Sequence, residues 1–434
     1  MKTPYLLNAF KGFLIFILAY HPSISASAAT KLESKIESEG GVNVTLSNPD
    51  HSFKLGGFLQ LDEILFFKKR DSLAGVKFPN SADIRNASVN ITGDIYKNVN
   101  YLVTFAFETN QVDLDDAWVT YTFEPSETVI GLGQTTPLTP LENVGQIWDY
   151  FFLETSLATT SFCIPDRVLG VSASRPFYDQ FTLSGMIYGP RTGDTNTLKD
   201  MKKRDRIAEA VKVTWSPCHE EGRVRHLGLT FRHQALNHSL DGQAVLQQGL
   251  FSTPPEAVGR NTPTLIDSGD FLKTSGYNHI GAEFAIISGP LTVEAEHHSV
   301  YVNRLPFLPS DNGNVMFYGW HIQGGYVLTG ESRNYSFSDG TISNPVPKGP
   351  CGALEITARL SYVNLIRKNI FGGSEHDFTL GLNWFVNKNV LIMANYILAR
   401  INPTDINNPG MRTAPPLSKT QTLNIFGLRF QVVF

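Results

Sequence analysis

The fold class that the sequence predicts is all-β: a transmembrane, antiparallel, up-and-down β-barrel of sixteen strands. Three observations predict it. Segments of about ten residues alternate apolar and polar side chains, the period that gives a strand one apolar and one polar face. A leader-like segment precedes them. Aromatics recur near strand ends (Tyr101, Tyr121, Trp215, Tyr318, Tyr326, Trp384, Tyr396), as the interfacial girdle of a membrane barrel requires, and the chain ends on Phe434 within an alternating strand. A soluble sandwich would turn the same apolar faces inward. Alternation alone does not separate the two; the leader, the girdle and the strand length favour the barrel.

Composition narrows the class further. The 434 residues are 42% hydrophobic and 18% charged, which argues against disorder. A formal net charge of −4 gives no basic footprint for nucleic acid. Mean hydropathy is near neutral, and no stretch reaches the about 20 apolar residues of a transmembrane helix. Three cysteines, Cys163, Cys218 and Cys351, cannot all pair with one another, so they read as inert thiols, with a single Cys163–Cys351 or Cys218–Cys351 bridge as the alternative.

Taken in order, residues 1–28 read as a signal peptide. Lys2 and Lys11 form the charged region, Phe13 to Tyr20 the apolar run, and Ala26-Ser27-Ala28 the cleavage site. Residues 29–50 read as a short N-terminal periplasmic segment, with a helix-like charged stretch at 31–40. The barrel then occupies 51–434. Its strands are expected at 53–67, 82–94, 98–108, 113–123, 127–134, 166–175, 178–189, 207–216, 223–235, 278–288, 290–301, 315–329, 353–366, 375–386, 389–400 and 421–434. In the last, Phe426, Leu428, Phe430, Val432 and Phe434 share one face, and Gly427, Arg429, Gln431 and Val433 the other. Short turns at 96–98, 125–126, 288–290 and 387–389 belong to the periplasmic side. Long connections at 135–165, 190–206, 236–277 and 401–420 belong outside. The long connection 330–352 is an exception, because the count puts it on the periplasmic side.

Several segments resemble the phosphate-selective porin O/P family of Gram-negative outer-membrane channels. They are Leu328-Thr329-Gly330-Glu331-Ser332-Arg333, Gly352-Ala353-Leu354-Glu355-Ile356-Thr357-Ala358-Arg359, Gly372-Gly373 leading to Thr379-Leu380-Gly381-Leu382-Asn383-Trp384, and Asn387-Lys388-Asn389-Val390 before Ala394-Asn395-Tyr396. Earlier pieces are Lys54-Leu55-Gly56-Gly57, Asp115-Asp116-Ala117, Glu154-Thr155-Ser156 and Arg167-Val168-Leu169-Gly170-Val171. Their order and spacing are specific where each alone is weak. The resemblance implies a sixteen-stranded trimeric diffusion channel, an inward-folded loop at 135–165 and a turn near 330–352 that enters the lumen. It also implies an outer-membrane location with lipid and lipopolysaccharide as surroundings.

The chain departs from that family where a phosphate eyelet would be lined by Arg and Lys. No Lys or Arg occurs from Asn98 through Asp166, while the same stretch holds Glu142, Asp149, Glu154 and seven other carboxylates. Asn86 and Ser88 stand on the second strand where arginines are usual. Glu142, Asp149 and Glu154 are therefore the candidate eyelet residues, or else ties from loop to wall. Lys212, Arg232, Glu294, Glu296, Glu355, Arg359 and Arg429 are the candidate pore-wall residues, either bracing salt bridges or a transverse field. The basic run Lys199, Lys202, Lys203, Arg204 and Arg206 reads as a solvated external loop or a lipopolysaccharide contact. His297-His298 read as interfacial rather than metal ligands.

The functional expectation is passive diffusion of small hydrophilic solutes or ions, with weak cation preference from the acidic eyelet. An anion- or phosphate-selective porin is the alternative. A plugged barrel acting as adhesin or anchor is the rival from another class. The sequence carries no H-E-x-x-H, C-x-x-C, G-x-S-x-G or P-loop motif, and neither an enzyme nor a cofactor is expected.

Overall fold

The structure is a computed structural model. It describes residues 35–37, 42–45, 51–67, 78–108, 111–191, 207–235, 250–259, 262–269, 274–304, 313–368, 370–403 and 420–434. The leader at 1–28, the basic run at 199–206 and most of 401–420 lie outside the described residues. Among the described residues no helix is long and apolar enough to cross a membrane.

The membrane-crossing elements are strands. In chain order they are β1 Ser52–Phe67, β2 Ser81–Ile95, β3 Val99–Glu108, β4 Gln111–Phe123, β5 Thr128–Thr135, β6 Val168–Phe177, β7 Phe181–Pro190 and β8 Ala208–Glu220. They continue as β9 Arg223–Ala235, β10 Thr274–Ser288, β11 Leu291–Arg304, β12 Val315–Val327, β13 Ala353–Arg367, β14 Ile370–Phe385, β15 Val390–Asn402 and β16 Gln421–Val433. Each pairs antiparallel with its neighbours in sequence, and β16 returns to β1, with Asn424 opposite Phe67 and Val433 opposite Phe58. That last pairing closes the sheet and leaves no open edge in the barrel, as backbone in hydrocarbon requires. All sixteen expected strands are present.

Alternation sets the two surfaces. On β13, Ile356 and Leu360 are exposed on the outside, whereas Glu355, Thr357, Arg359 and Ser361 are buried inside. On β14, Phe378, Leu380, Leu382 and Trp384 face out, and Asp377, Thr379 and Asn383 face in. The apolar exterior meets lipid and the polar interior meets the lumen.

Two expectations are corrected. The helix-like stretch at 31–40 contains a strand instead: Lys35–Glu37 pairs with Val42–Thr45, which adds to β1 at Ser52–Leu55. A ten-residue charged segment cannot sustain a helix alone, and the end of β1 offers it ladder partners. The strand placed at 375–386 begins earlier, at Ile370, and absorbs Gly372-Gly373. Gly372 passes so close to Leu365 and to the Asp267 carbonyl that a side chain has no room. Gly372 thus marks a close approach within the strand, and Gly373, at φ +89°, takes a left-handed backbone that favours glycine.

Among the described residues, three connections fold into the barrel. The first, residues 136–167, carries two short helices, α1 Leu141–Val144 and α2 Leu157–Phe162. Ser156 caps α2, its hydroxyl accepting from the Thr159 N–H. The second comprises residues 250–259 and 262–269, where Ser252–Thr253 pairs with Ile266–Asp267. The third is the turn-side connection 328–352, where Asn334–Ser336 pairs with Thr341–Ser343. All three cysteines are free thiols; Cys163 is buried and burial pushes its thiol pKa up, which keeps it protonated.

Candidate functional site

The inserted segments meet the wall at Arg359 on β13. Its guanidinium donates to Glu256 from Nε at 2.9 Å, and its Nη2 lies 2.6 Å from the same carboxylate. Its Nη1 reaches Glu142 at 3.3 Å and donates to the Glu154 carbonyl at 3.0 Å. One side chain thus binds the first and second inserted segments to the wall. Glu256 also accepts from Ser361 and Thr379 on neighbouring strands. The Arg359 guanidinium lies over the Phe152 ring, 4.4 Å from its centre.

Arg333 does the same for the third segment. It forms a two-pronged pair with Glu355 at 2.8 and 2.7 Å and donates to the Asp149 carbonyl at 3.0 Å. The fork geometry of guanidinium on carboxylate makes such pairs strong. The guanidinium stacks 3.6 Å above the Phe151 ring. Gly325, next to Glu355 on the facing strand, leaves the space that this carboxylate fills.

The three candidate eyelet acids are all engaged. Glu142 touches Arg359, accepts from the Ser156 N–H and lies 3.8 Å from His321. Burial raises its pKa, and its contacts with His321, Arg359 and the Ser156 N–H more than offset that, so the carboxyl is lowered overall. Glu154 pairs with Arg85 at 2.6 and 2.9 Å and approaches Arg429 at 3.5 Å. Burial again opposes ionisation there, and Arg85 reverses it. Asp149 accepts from the Asn344 N–H at 3.0 Å, and burial pushes its pKa up to about 6. Asp149 thus has a backbone partner where the other two have guanidinium partners.

The candidate wall residues all lie on lumen-facing positions, but under the inserted segments rather than against open water. Lys212 pairs with Glu283 at 2.9 Å and donates to the Thr139 carbonyl. Arg232 donates to the Ile164 carbonyl. Arg429 pairs with Asp62, both contacts at 2.7 Å. Glu294 accepts from Gln323, and Glu296 from the Glu142 N–H. Glu355 and Arg359, four apart on β13, do not pair with each other; each pairs with an inserted or turn-side residue. Of His297-His298, only His297 faces outward; His298 is buried against Glu296.

Several residues of the site are not singled out by the sequence. Arg85 comes inward because β1 and β2 slip register between Gln60 and Leu61, so that Ile84 faces Leu61 and Asn86 faces Gln60. Strict alternation puts Arg85 opposite Asn86 on the outer face; the bulge cancels that. Glu256 lies in a connection with no periodicity to read. His321 is hidden in an aromatic-rich strand.

The inserted segments fill one side of the lumen. Leu153, Leu157, Ala158, Phe162, Phe251, Ala257, Leu265 and Ile266 form an apolar core with Val300, Val302, Phe317, Val363, Leu365, Ile397, Ile401 and Ile425 of β11 to β16. On the other side, between the 136–167 loop and β1 to β4, a cavity of about 460 Å³ stays open. Asn90, Thr92, Thr104, Thr135 and Asn143 line it, with Lys54, Asp115, Asp116, Asp166 and Arg167 as its charges. Arg167 is paired with Asp116 at 3.1 Å.

Comparison with known proteins agrees with this architecture. Porin O of Pseudomonas aeruginosa is 24% identical, covering 92% of this chain and 95% of its own. Among solved structures, the outer-membrane channel DcaP of Acinetobacter baumannii matches with a TM-score of 0.52 at 12% identity, covering 89% of this chain and 99% of its own. An anion-selective porin from Comamonas acidovorans matches with a TM-score of 0.51 at 11% identity, covering 89% and 100%. Both likenesses are of fold. The expected cation preference finds no support, in the comparisons or in the neutralised loop. The family model described as phosphate-selective porin O and P matches residues 53–434, and the chain therefore belongs to that family of outer-membrane channels.

Proposed function

We propose that the chain is a porin through which small hydrophilic solutes diffuse passively, and that small anions of the phosphate class are among them. The observation that carries this reading is the neutralised loop. Glu142 and Glu154 are each held by guanidinium groups, and of the Arg85–Glu154 pair the arginine side chain is the more exposed, 32% against 15%. An anion approaching that point meets a cation backed by a compensated carboxylate rather than a ring of free acids. The family's description as phosphate-selective supports the same direction. No cofactor or energy coupling enters the reading. The leader, a homotrimer and a setting of outer-membrane lipid and lipopolysaccharide belong to it.

The test is a planar-bilayer measurement under a KCl gradient, followed by inorganic phosphate added to one side. A reversal potential on the anion side, with phosphate lowering chloride conductance, is expected. A firmly cation-selective potential would overturn the anion reading. Folded protein that does not conduct would replace the channel by a plugged anchor.

A further inference from the structure

One cluster inside the barrel is not used by the pore. Glu296 and His298 are two apart on β11, so both face the lumen. His321 stands directly opposite Glu296 on β12. All three are buried, and one donor atom from each lies within 4.8 Å of the others. We propose that Glu296, His298 and His321 bind a divalent transition-metal ion of the zinc class, and that the ion fastens the 136–167 loop to the wall.

The donor set favours such an ion. Two imidazoles and a carboxylate suit zinc and its neighbours rather than magnesium or calcium, which take oxygen ligands. Each donor also has an outer partner that fixes its orientation, as metal ligands usually do. Ser156 Oγ faces His321 Nδ1 at 2.9 Å, His279 Nε2 faces His298 Nδ1 at 3.1 Å, and Glu296 Oε1 accepts from the Glu142 N–H.

Two further observations point to a ligand. His321 Nε2 is buried with no hydrogen-bond partner among the described residues. An orphaned imidazole nitrogen in a dry site is costly, and ligation removes the cost. Carboxyl groups also outnumber guanidinium groups around the site. Glu142, Glu256, Glu294 and Glu296 are joined in one hydrogen-bonded network, through Gln323 and the Glu142 N–H, around the single guanidinium of Arg359. A divalent cation beside Glu296 can take the place of the proton that such a buried carboxyl cluster otherwise holds. Two of the outer partners, Ser156 and Glu142, belong to the loop, so occupancy of the site couples to loop position.

The experiment uses the full chain refolded in detergent, stripped with chelator and titrated with Zn²⁺ by calorimetry and with Co²⁺ by visible absorption. One ion per chain is expected, with a cobalt spectrum that zinc displaces. His321→Ala is expected to abolish binding, and Ser156→Ala to weaken it by about ten- to a hundredfold. His297→Ala, on the outer face, should leave it unchanged. Heat-modified migration in gels checks that each barrel is folded. Folded wild-type protein that takes up no metal would overturn the proposal. So would binding that neither His321→Ala nor Ser156→Ala alters.

Discussion

The two sides of the lumen are built differently. Along β11 to β16 the wall meets the inserted segments through an apolar core and the Arg359–Glu256–Glu142 and Arg333–Glu355 pairs. Along β1 to β4 it faces a cavity through hydroxyl and amide groups, two carboxylates and Lys54. The filled side buries charges that are costly to leave unpaired; the open side keeps its polar groups in water. The difference teaches how a barrel too wide to be filled by wall side chains alone holds a constriction. It packs one side as a soluble protein packs its core and leaves a polar cavity along the other.

The largest way to break this contrast is Arg359→Ala. It strands Glu142 and Glu256 in a dry interior, and removing one partner of a buried pair costs about 3–5 kcal/mol. Both inserted segments lose their shared anchor, so the filled side should open. The expected result is a clear rise in single-channel conductance with the barrel still folded. Unchanged conductance would show that the apolar core alone holds the segments. Leu157→Ala attacks that core instead, since Leu157 is fully buried on α2. Core truncations of this kind cost about 2–5 kcal/mol. Here the constriction should become noisier, with frequent conductance fluctuations, while ion selectivity stays as it was.

How much of this contrast is written in the sequence follows from its physics. Alternation placed every wall strand, because a one-residue slip would turn each apolar face from lipid to lumen. It also put Lys212, Glu294, Glu296, Glu355, Arg359 and Arg429 on the inner face. What alternation cannot give is which partner each inner charge meets, since those partners lie in connections without a period. Glu256 and Arg333 are such partners. One signal was present and unused: β15, Val390–Asn402, is apolar on both faces through Leu391, Met393, Ile397, Ala399 and Ile401. A barrel strand with an apolar lumen face must have something packed against it. Arg85 was hidden for a different reason, a register slip that no residue pattern announces.

Arg85→Ala sharpens the contrast from the open side. It removes an ion pair with Glu154 whose arginine end is partly exposed and screened by solvent, worth about 1 kcal/mol, and Arg429 at 3.5 Å remains as a weaker partner. Stability should fall modestly. Selectivity should move further, because a half-buried cation is gone and a carboxylate is uncovered. Reversal potential under a KCl gradient is expected to shift toward cations. A shift in stability with no shift in potential would show that solute passes elsewhere.

The smallest effect lies at the seam between the loop and the turn-side connection. Asp149 accepts from the Asn344 N–H, and burial raises its pKa to about 6, above the ordinary aspartate value of 3.8. A raised acid binds its proton more tightly in the folded state than in the unfolded one. Its contribution therefore favours the docked seam most at low pH and is lost as pH rises from about 4 through about 6. Glu154, which is lowered, acts in the opposite sense: its stabilisation is present above the ordinary glutamate value of 4.5 and is lost as pH falls through its own lower pKa. Between pH 5 and 7 only Asp149 of the two titrates, so the seam's share of a conductance transition has its midpoint near pH 6. Asp149→Asn keeps the acceptor and removes the proton equilibrium. It should flatten that transition and leave the Arg359 anchor, and with it the filled side, untouched.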